Sequence, residues 1–308
     1  MKSILSKVNS GIKTAGRPPA AVEISPEGVL AATRPGGKAT GAEPQYAFVA
    51  LPAGAVVPGI EEPNLRAPEI VAKAIGAALE QLSLRSRSVT VVLPDTSVRV
   101  FMLDFDSLPA KSSEAIPVLQ FRLRKMVPFD VEHAGVSYQI LTQDKTECRV
   151  LAAIIPGPIL SDYESAIHAA GFESGAVLPS SLAALEIADP MEAVLSVNLS
   201  GHALTTTIAN GQDLLLYRTL ELPEDQEQRV AEIQRGIAVA GAYFEDKLQV
   251  RPRRLYYAGN QPASEFAAWL GDPELTVFEL ASRPDVGAMT ALGNICIASV
   301  TGALAGVS

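Results

Sequence analysis

The chain has 308 residues, of which 48% are hydrophobic and 19% are charged, and its formal net charge is −9. This size and composition allow a sizeable core, as one large or two medium globular domains. The acidic balance, with no block of five or more Lys and Arg residues, excludes a surface that tracks nucleic-acid phosphates, so we expect no nucleic-acid partner.

The two cysteines, Cys148 and Cys296, are far apart and belong to no CxxC pair. The sequence therefore predicts neither a disulfide framework nor a zinc site, and it favours a reducing compartment. The start of the chain has a two-residue apolar run, far short of the roughly 7–15 residues of a signal-peptide core. No uninterrupted apolar stretch approaches the roughly 20 residues that span a bilayer. We expect a cytoplasmic protein.

Residues 1–19 form the first predicted segment, a basic stretch that ends at the prolines of AGRPP. Apolar residues at helical spacing predict an amphipathic helix that docks weakly on a membrane surface or a partner. A loosely ordered terminus is the alternative.

A first α/β lobe is predicted over residues 20–190. Two strands joined by a tight turn, AAVEIS and EGVLAATR, precede a third, QYAFVAL, and a helix from Pro68 to Leu82. The strands SVTVVLP and SVRVFMLDF, a helix that ends in FRLRKM and a hairpin over residues 136–155 follow. These last elements predict an inserted α+β subdomain at about 88–157.

A second lobe, predicted over residues 191–308, repeats this layout. Three strands with turns at Ser200-Gly201 and Asn210-Gly211 precede a long helix from Glu224 to Leu248, and Asn-Gly is a strong hairpin signal. The strand LYYAG and a final helix from Val286 complete the lobe. Both halves begin with a β-hairpin and continue with helices, which indicates a duplicated layout without a duplicated sequence.

Motifs for chemistry are scarce. The three histidines, His133, His168 and His202, lack metal-ligand spacing, and no GxSxG motif is present. The loop RPGGKAT departs from a phosphate-binding loop because Ala39 follows Lys38. Asp104 and Asp106 share a strand face, but a solvated strand end is favoured over a metal site because no third acid is near.

The stretch FRLRKMVPFDVEHAGVSYQIL, residues 121–141, combines a basic helix, a break, an acidic turn and a strand. With the following run, RVLAAIIPGPILSDYESAIHAAGFESGAVLPSSLAAL, it resembles the PilM family of type IV pilus assembly. The resemblance covers about residues 88–210 and resumes near 230–260. It implies an α/β, two-lobed actin-like ATPase fold similar to that of the cell-division protein FtsA, with an inserted α+β subdomain and a reduced second lobe.

The resemblance also implies partners. The short cytoplasmic N-terminal tail of a PilN-like inner-membrane protein would lie in a groove near the inserted subdomain, with apolar side chains in pockets. Other platform or motor proteins of the pilus are implied partners, with at most peripheral contact to the inner membrane. The candidate groove residues are Val98, Val100 and Met102 of a strand, Leu119 and Leu123 of a helix, and Pro128 and Phe129; the alternative is that they form the subdomain's own core.

The family's nucleotide site, between the lobes, uses two hairpins with Asp-x-Gly turns, where backbone N–H groups approach phosphates and acids hold the Mg²⁺ shell. In the first hairpin here, Glu23 stands where the family has aspartate, and Ser25-Pro26 stands where a glycine and a hydroxyl residue belong. Proline removes a backbone donor.

The second hairpin departs from the pattern too. Asn198 replaces the acid and Ser200 replaces the first glycine, whereas Gly201 and Thr205 are kept. The nucleoside-side strand keeps Gly259 but continues with asparagine. We therefore expect no cofactor, with bound ATP and Mg²⁺ as the alternative.

The sequence thus favours a non-catalytic scaffold that tethers a membrane partner's tail. A nucleotide-switched actin-fold ATPase is one alternative, and the cytoplasmic domain of a type II secretion protein is another. A small-molecule kinase would need a general-base aspartate facing the cleft, and the sequence analysis identifies none.

Overall fold

The computed structural model describes residues 17–34, 42–144, 146–188, 191–211, 213–282, 293 and 295–305. The predicted helix within residues 1–16, most of the RPGGKAT loop and the predicted helix start at Val286 lie outside the described residues. Three β-sheets organise the rest, two of five strands and one of three.

Thirteen strands and seven α-helices make up the described part of the chain. The strands are β1 (Ala20–Ile24), β2 (Gly28–Thr33), β3 (Gln45–Ala50), β4 (Ser88–Leu93), β5 (Arg99–Phe105), β6 (Gly135–Gln143), β7 (Cys148–Ile155), β8 (Glu173–Pro179), β9 (Ala193–Ser200), β10 (Ala203–Asn210), β11 (Asp213–Glu221), β12 (Arg254–Gly259) and β13 (Thr276–Glu279). The helices are α1 (Pro68–Glu80), α2 (Ser112–Leu123), α3 (Gly157–Ala169), α4 (Ser180–Leu185), α5 (Gln226–Leu248), α6 (Ala263–Leu270) and α7 (Ala298–Ala305).

The two large sheets have the same topology. The first has the order β3-β2-β1-β4-β8 and the second the order β11-β10-β9-β12-β13. In each, the first three strands in sequence form an antiparallel meander, and the remaining two add in parallel. The duplicated layout predicted from the sequence is therefore present in the strand order, and it defines two lobes.

Helices cover both faces of the first sheet, which explains why β1, β2 and β4 are almost continuously apolar rather than alternating. On one face, Val22 and Val91 pack with Ile75 of α1 and Ile167 of α3. On the other, Leu30 and further sheet residues pack with α4 and α7.

The helix α7 packs against the first lobe, although it follows the second lobe in sequence. Val300 and Leu304 belong to the apolar cluster of β1, β2 and α4. The Tyr46 hydroxyl of β3 also lies 2.9 Å from Thr301 Oγ1. The predicted assignment of the C-terminal helix to the second lobe therefore needs correction, because Val300 and Leu304 are buried against β1, β2 and α4.

The inserted subdomain is the antiparallel sheet β5-β7-β6 with α2 on one face. The prediction began this insertion at residue 88, but β4 pairs in parallel with both β1 and β8. Because β4 is a central strand of the first sheet, the insertion begins after it, with β5. No helix among the described residues is long and apolar enough to cross a membrane.

Candidate functional site

A cleft of about 520 Å³ lies between the two lobes. The tip of the β1–β2 hairpin lines it at Ser25, Pro26 and Glu27, and residues 57–62 extend the same wall. The tip of the β9–β10 hairpin lines it from the second lobe at residues 200–202. These are the hairpins in which the sequence placed the nucleotide motifs, so the cleft is the place to test that prediction.

The tip of the first hairpin offers little to a phosphate group. Ser25 and Gly28 exchange two backbone hydrogen bonds, of 3.0 and 3.2 Å, and the Ser25 hydroxyl also donates to Gly28 O. Pro26 has no N–H to donate. Three of the four positions in this turn therefore lack a free backbone donor of the kind that phosphate-binding turns present.

The second hairpin turns at Gly201, whose φ of +49° favours glycine. Arg229 of α5 donates a hydrogen bond to Gly201 O and so holds the turn. Ser200 and Gly201 line the cleft together with Glu23 and Ser25. The other predicted nucleotide residues, Asn198, Thr205 and Gly259, are buried behind the cleft wall. Four of the seven predicted nucleotide-binding residues thus line the cleft, and the other three lie in the protein interior.

The charge of the cleft opposes a polyphosphate. Five carboxylates and two guanidinium groups line it. Both guanidinium groups are already paired, Arg66 with Glu62 and Arg99 with Glu221 at 3.3 Å. With these two pairs neutral, Glu27 and Glu61 still give the lining a negative charge, which disfavours a bound polyphosphate because like charges repel. The described residues also contain no group of three or more His, Cys, Asp or Glu side chains that could hold a metal ion.

A buried polar network joins the lobes beneath the cleft, and its centre is Asp95. This residue follows β4 and is 1% exposed. Asp95 Oδ1 accepts hydrogen bonds from Ser181 N at 3.0 Å and Ser181 Oγ at 2.9 Å, and Oδ2 accepts one from Asn198 Nδ2 at 3.1 Å. The Tyr217 hydroxyl of β11 lies 2.9 Å from Ser181 Oγ. One carboxylate thereby connects β4 and α4 of the first lobe with β9 of the second.

The network continues to Glu23. Asn198 Nδ2 also donates to Ser180 Oγ at 3.0 Å, and Ser180 Oγ donates to Glu23 Oε1 at 3.1 Å. Ser299 Oγ of α7 donates to Glu23 Oε2 at 2.6 Å. Glu23 is therefore held within the first lobe by α4 and α7, and it reaches the second lobe only through Ser180 and Asn198.

Burial raises the pKa of both carboxyl groups in the network. Desolvation brings the pKa of Glu23 to about 7, against the hydrogen bonds from Ser299 and Ser180 and with small additions from the charges of Glu27 and Asp95. Desolvation likewise raises the pKa of Asp95, although its hydrogen bonds oppose the shift. The two carboxyl groups thus share a site that disfavours charge.

We expect Glu23→Gln to remove part of the pH dependence of stability. The unfolded chain releases this proton near pH 4.5 and the folded chain near pH 7, so stability falls as the pH rises between these values. The variant should have a flatter slope in this window and a higher melting temperature than the wild type at pH 8. Melting curves from pH 4.5 to 8 measure this, with the exposed Glu80→Gln on α1 as control. An unchanged slope in the Glu23→Gln variant would contradict the expectation.

Asp95 is not among the predicted site residues, which include no aspartate at the cleft. The signal was available: VVLPDTS places an acid directly after a buried parallel strand, and the carboxyl ends of such strands gather functional groups. The structure shows that its oxygens are occupied by hydrogen bonds and that it does not line the cleft. A general-base role for Asp95 therefore has no support.

The predicted groove residues lie on opposite faces of the small sheet. Val98 and Val100 pack with the core of the first lobe, and Met102 packs with a cluster that contains residues of both lobes. Val98 is buried and the other two are half-buried. Leu119 and Leu123 belong to α2 and are fully buried between this helix and the other face of the sheet. Residues on opposite faces of a sheet cannot line one groove. Leu119 and Leu123 can thus only support a groove formed by Val100 and Met102.

Pro128 and Phe129 occupy the turn between α2 and β6. Pro128 is exposed, whereas Phe129 is half-buried against the core of the inserted subdomain. Their part in peptide binding stays a prediction.

The two lobes with repeated sheet order, the cleft and the inserted subdomain define the class: the chain has an actin-like ATPase fold. A Bacteroides thetaiotaomicron protein of unknown function described as having that fold aligns with a TM-score of 0.51 and 12% identity, over 93% of this chain and 94% of that chain. No protein-family model matches the sequence, and no curated protein matches it significantly.

A second solved structure is more similar to this chain in fold. A chain of the PilM–PilN type IV pilus biogenesis complex aligns with a TM-score of 0.72 and 17% identity, over 96% of this chain and all of that chain. The cytoplasmic domain of EpsL, an inner-membrane component of the Vibrio cholerae type II secretion system, aligns over 79% of this chain and 82% of that chain, with 15% identity and a TM-score of 0.49. In fold, the protein is PilM-like.

Proposed function

We propose that the protein is a PilM-like scaffold that binds the cytoplasmic N-terminal tail of a PilN-like inner-membrane protein. The observation that carries this proposal is the agreement in fold with the PilM–PilN complex over nearly the whole chain. At this level of identity the likeness defines the fold, so the partner is part of the proposal. The protein would act at the cytoplasmic side of the inner membrane, and other pilus platform proteins would be further partners.

The scaffold works without ATP hydrolysis in this proposal. The closed turn at Ser25 and Gly28, the proline between them and the paired arginines of the cleft leave few groups for a phosphate. The buried contact of Asp95 with Asn198 already links the lobes by side chains alone. Neither ATP nor Mg²⁺ is therefore needed to connect them.

The tail would bind at the seam between the inserted subdomain and the two lobes. Val100 and Met102 lie there, half-buried, on the face of the small sheet opposite α2. Half-buried apolar side chains at the junction of two packed units are suited to take up the apolar residues of an extended peptide. The strand β5 that carries them begins at Arg99, at the rim of the cleft.

We expect Met102→Ala to weaken binding of a synthetic tail peptide about ten-fold, since truncating an apolar anchor at a peptide site removes about 1–2 kcal/mol. The peptide is the N-terminal tail of the PilN-like protein from the same organism. Isothermal titration calorimetry measures the affinity, and each titration is repeated with Mg-ATP. The matched control is Phe121→Ser, on the opposite side of the inserted subdomain.

Equal affinities for the Met102 and Phe121 variants would place the tail elsewhere, and no binding by the wild type would reject the scaffold proposal. A change of the wild-type affinity on adding Mg-ATP would instead favour the nucleotide-switched alternative, because an effector must shift affinity through differential binding.

A further inference from the structure

The outer face of α2 exposes apolar side chains that the inserted subdomain does not cover. Val118 is 37% exposed and Phe121 is 71% exposed, and their spacing of three residues places them on one stripe of the helix. Met126, in the turn after the helix, is 43% exposed. The inner face is fixed because Leu119 and Leu123 are fully buried, so the helix cannot rotate to hide Phe121.

Basic side chains flank this stripe. Arg122 is exposed and lies on the same face of α2, four residues after Val118, and Lys125 is exposed in the turn that follows the helix. Within the part of the chain that the structure describes, neither forms an ion pair, whereas Arg124 pairs with Glu132 at 2.6 Å. A local group of unpaired cations with an exposed aromatic ring stands out on a chain with a net charge of −9.

We propose that the outer face of α2 docks on an anionic lipid bilayer. Its surface is a convex helix, and a peptide partner needs a groove or a sheet edge to hold it. A bilayer interface accepts a convex surface on which aromatic and apolar side chains enter the headgroup region while Lys and Arg stay at its anionic surface. The face combines these two residue classes and contains one acid, Glu114, which lies 3.5 Å from Lys111.

This contact goes beyond tail binding and does not depend on it. Met102 and Phe121 belong to opposite sides of the small sheet, so a bilayer on α2 leaves the seam open. The two contacts together would hold the scaffold against the membrane more strongly than either alone, because the second contact becomes intramolecular.

The test is co-sedimentation of the full chain with vesicles of phosphatidylethanolamine and phosphatidylglycerol in equal amounts, compared with vesicles of phosphatidylcholine. We expect binding to the anionic vesicles only, and weaker binding as salt increases. The double variant Arg122→Glu with Lys125→Glu should lower the partition coefficient at least about 30-fold, since each cation removed weakens the attraction to an anionic surface. Phe121→Ser should lower it several-fold.

The matched control is the double variant Lys73→Glu with Arg253→Glu. It changes two exposed positions outside α2 and has the same net charge as the α2 double variant. This control should bind vesicles nearly as well as the wild type does. If it lost as much binding as the α2 double variant, net charge alone would explain the effect, which overturns the proposal. Two other results overturn it: wild-type protein that stays in the supernatant, and binding that survives the α2 variants but is abolished by deleting residues 2–16. Tail affinity is measured on the same samples, so failure here is separable from failure of the scaffold proposal.

Discussion

Replacing Asp95 by alanine is expected to lower the free energy of unfolding by about 3–5 kcal/mol. The carboxylate accepts hydrogen bonds from Ser181 N, Ser181 Oγ and Asn198 Nδ2. Its removal leaves the Ser181 N–H and one N–H of Asn198 buried without an acceptor, whereas Ser181 Oγ still has the Tyr217 hydroxyl as an acceptor. Each such donor costs about 1–3 kcal/mol, partly relieved if water enters the space. Urea unfolding followed by circular dichroism measures the loss.

A swap of the two central residues separates the network from simple burial. Asn198→Asp alone would bring a second carboxylate to about 3 Å from Asp95, and it should destabilise strongly because the two charges repel. Asp95→Asn should cost less than alanine, since the amide oxygen still accepts from Ser181. The double variant restores one amide and one carboxyl group, and it should recover part of the loss. Strictly additive effects would show that Asp95 and Asn198 do not act on each other.

The second large effect is expected for Gly302→Leu on α7. A Cβ at this position would collide with Ala183 O and lie 2.8 Å from Ala183 C, both backbone atoms of α4. Backbone cannot move aside as a flexible side chain can, so α7 must separate from α4. We expect a loss of about 3 kcal/mol or more in the free energy of unfolding. Thermal melting and amide hydrogen exchange in α4 measure it.

The matched control is Gly76→Ala in the middle of α1. A Cβ there meets Ala170 O at 3.9 Å, which is ordinary contact. Since alanine favours a helix over glycine, this variant should gain about 0.5–1 kcal/mol. If Gly302→Leu melted like the wild type, the close contact of α4 and α7 would be wrong, and with it the placement of the C-terminal helix on the first lobe.

Much of the local structure could be predicted because it is encoded in short patterns. Alternating or continuous apolar runs predicted β1, β2 and β3, and helical spacing predicted α1 and α5 to within two residues at each end.

The packing partners of individual side chains were not predictable in the same way. Leu119 and Met102 are apolar in the same region, and only the sheet between them decides that one lies in a core and the other at a seam. Their assignment to one groove used sequence proximity, which does not report the face of a sheet when the register is unknown.

The sequence by itself determined the repeated, hairpin-led layout and the elements of the inserted subdomain, since each follows from apolar patterns within a few positions of one another. Only the tertiary structure decided that α7 returns to the first lobe and that Asn198 donates to Asp95, 103 residues away. A periodic pattern indicates which face of a helix or strand is buried, but it does not indicate the element against which that face packs. The partner is chosen by packing and by the need to satisfy every buried polar group, and both are properties of the whole fold.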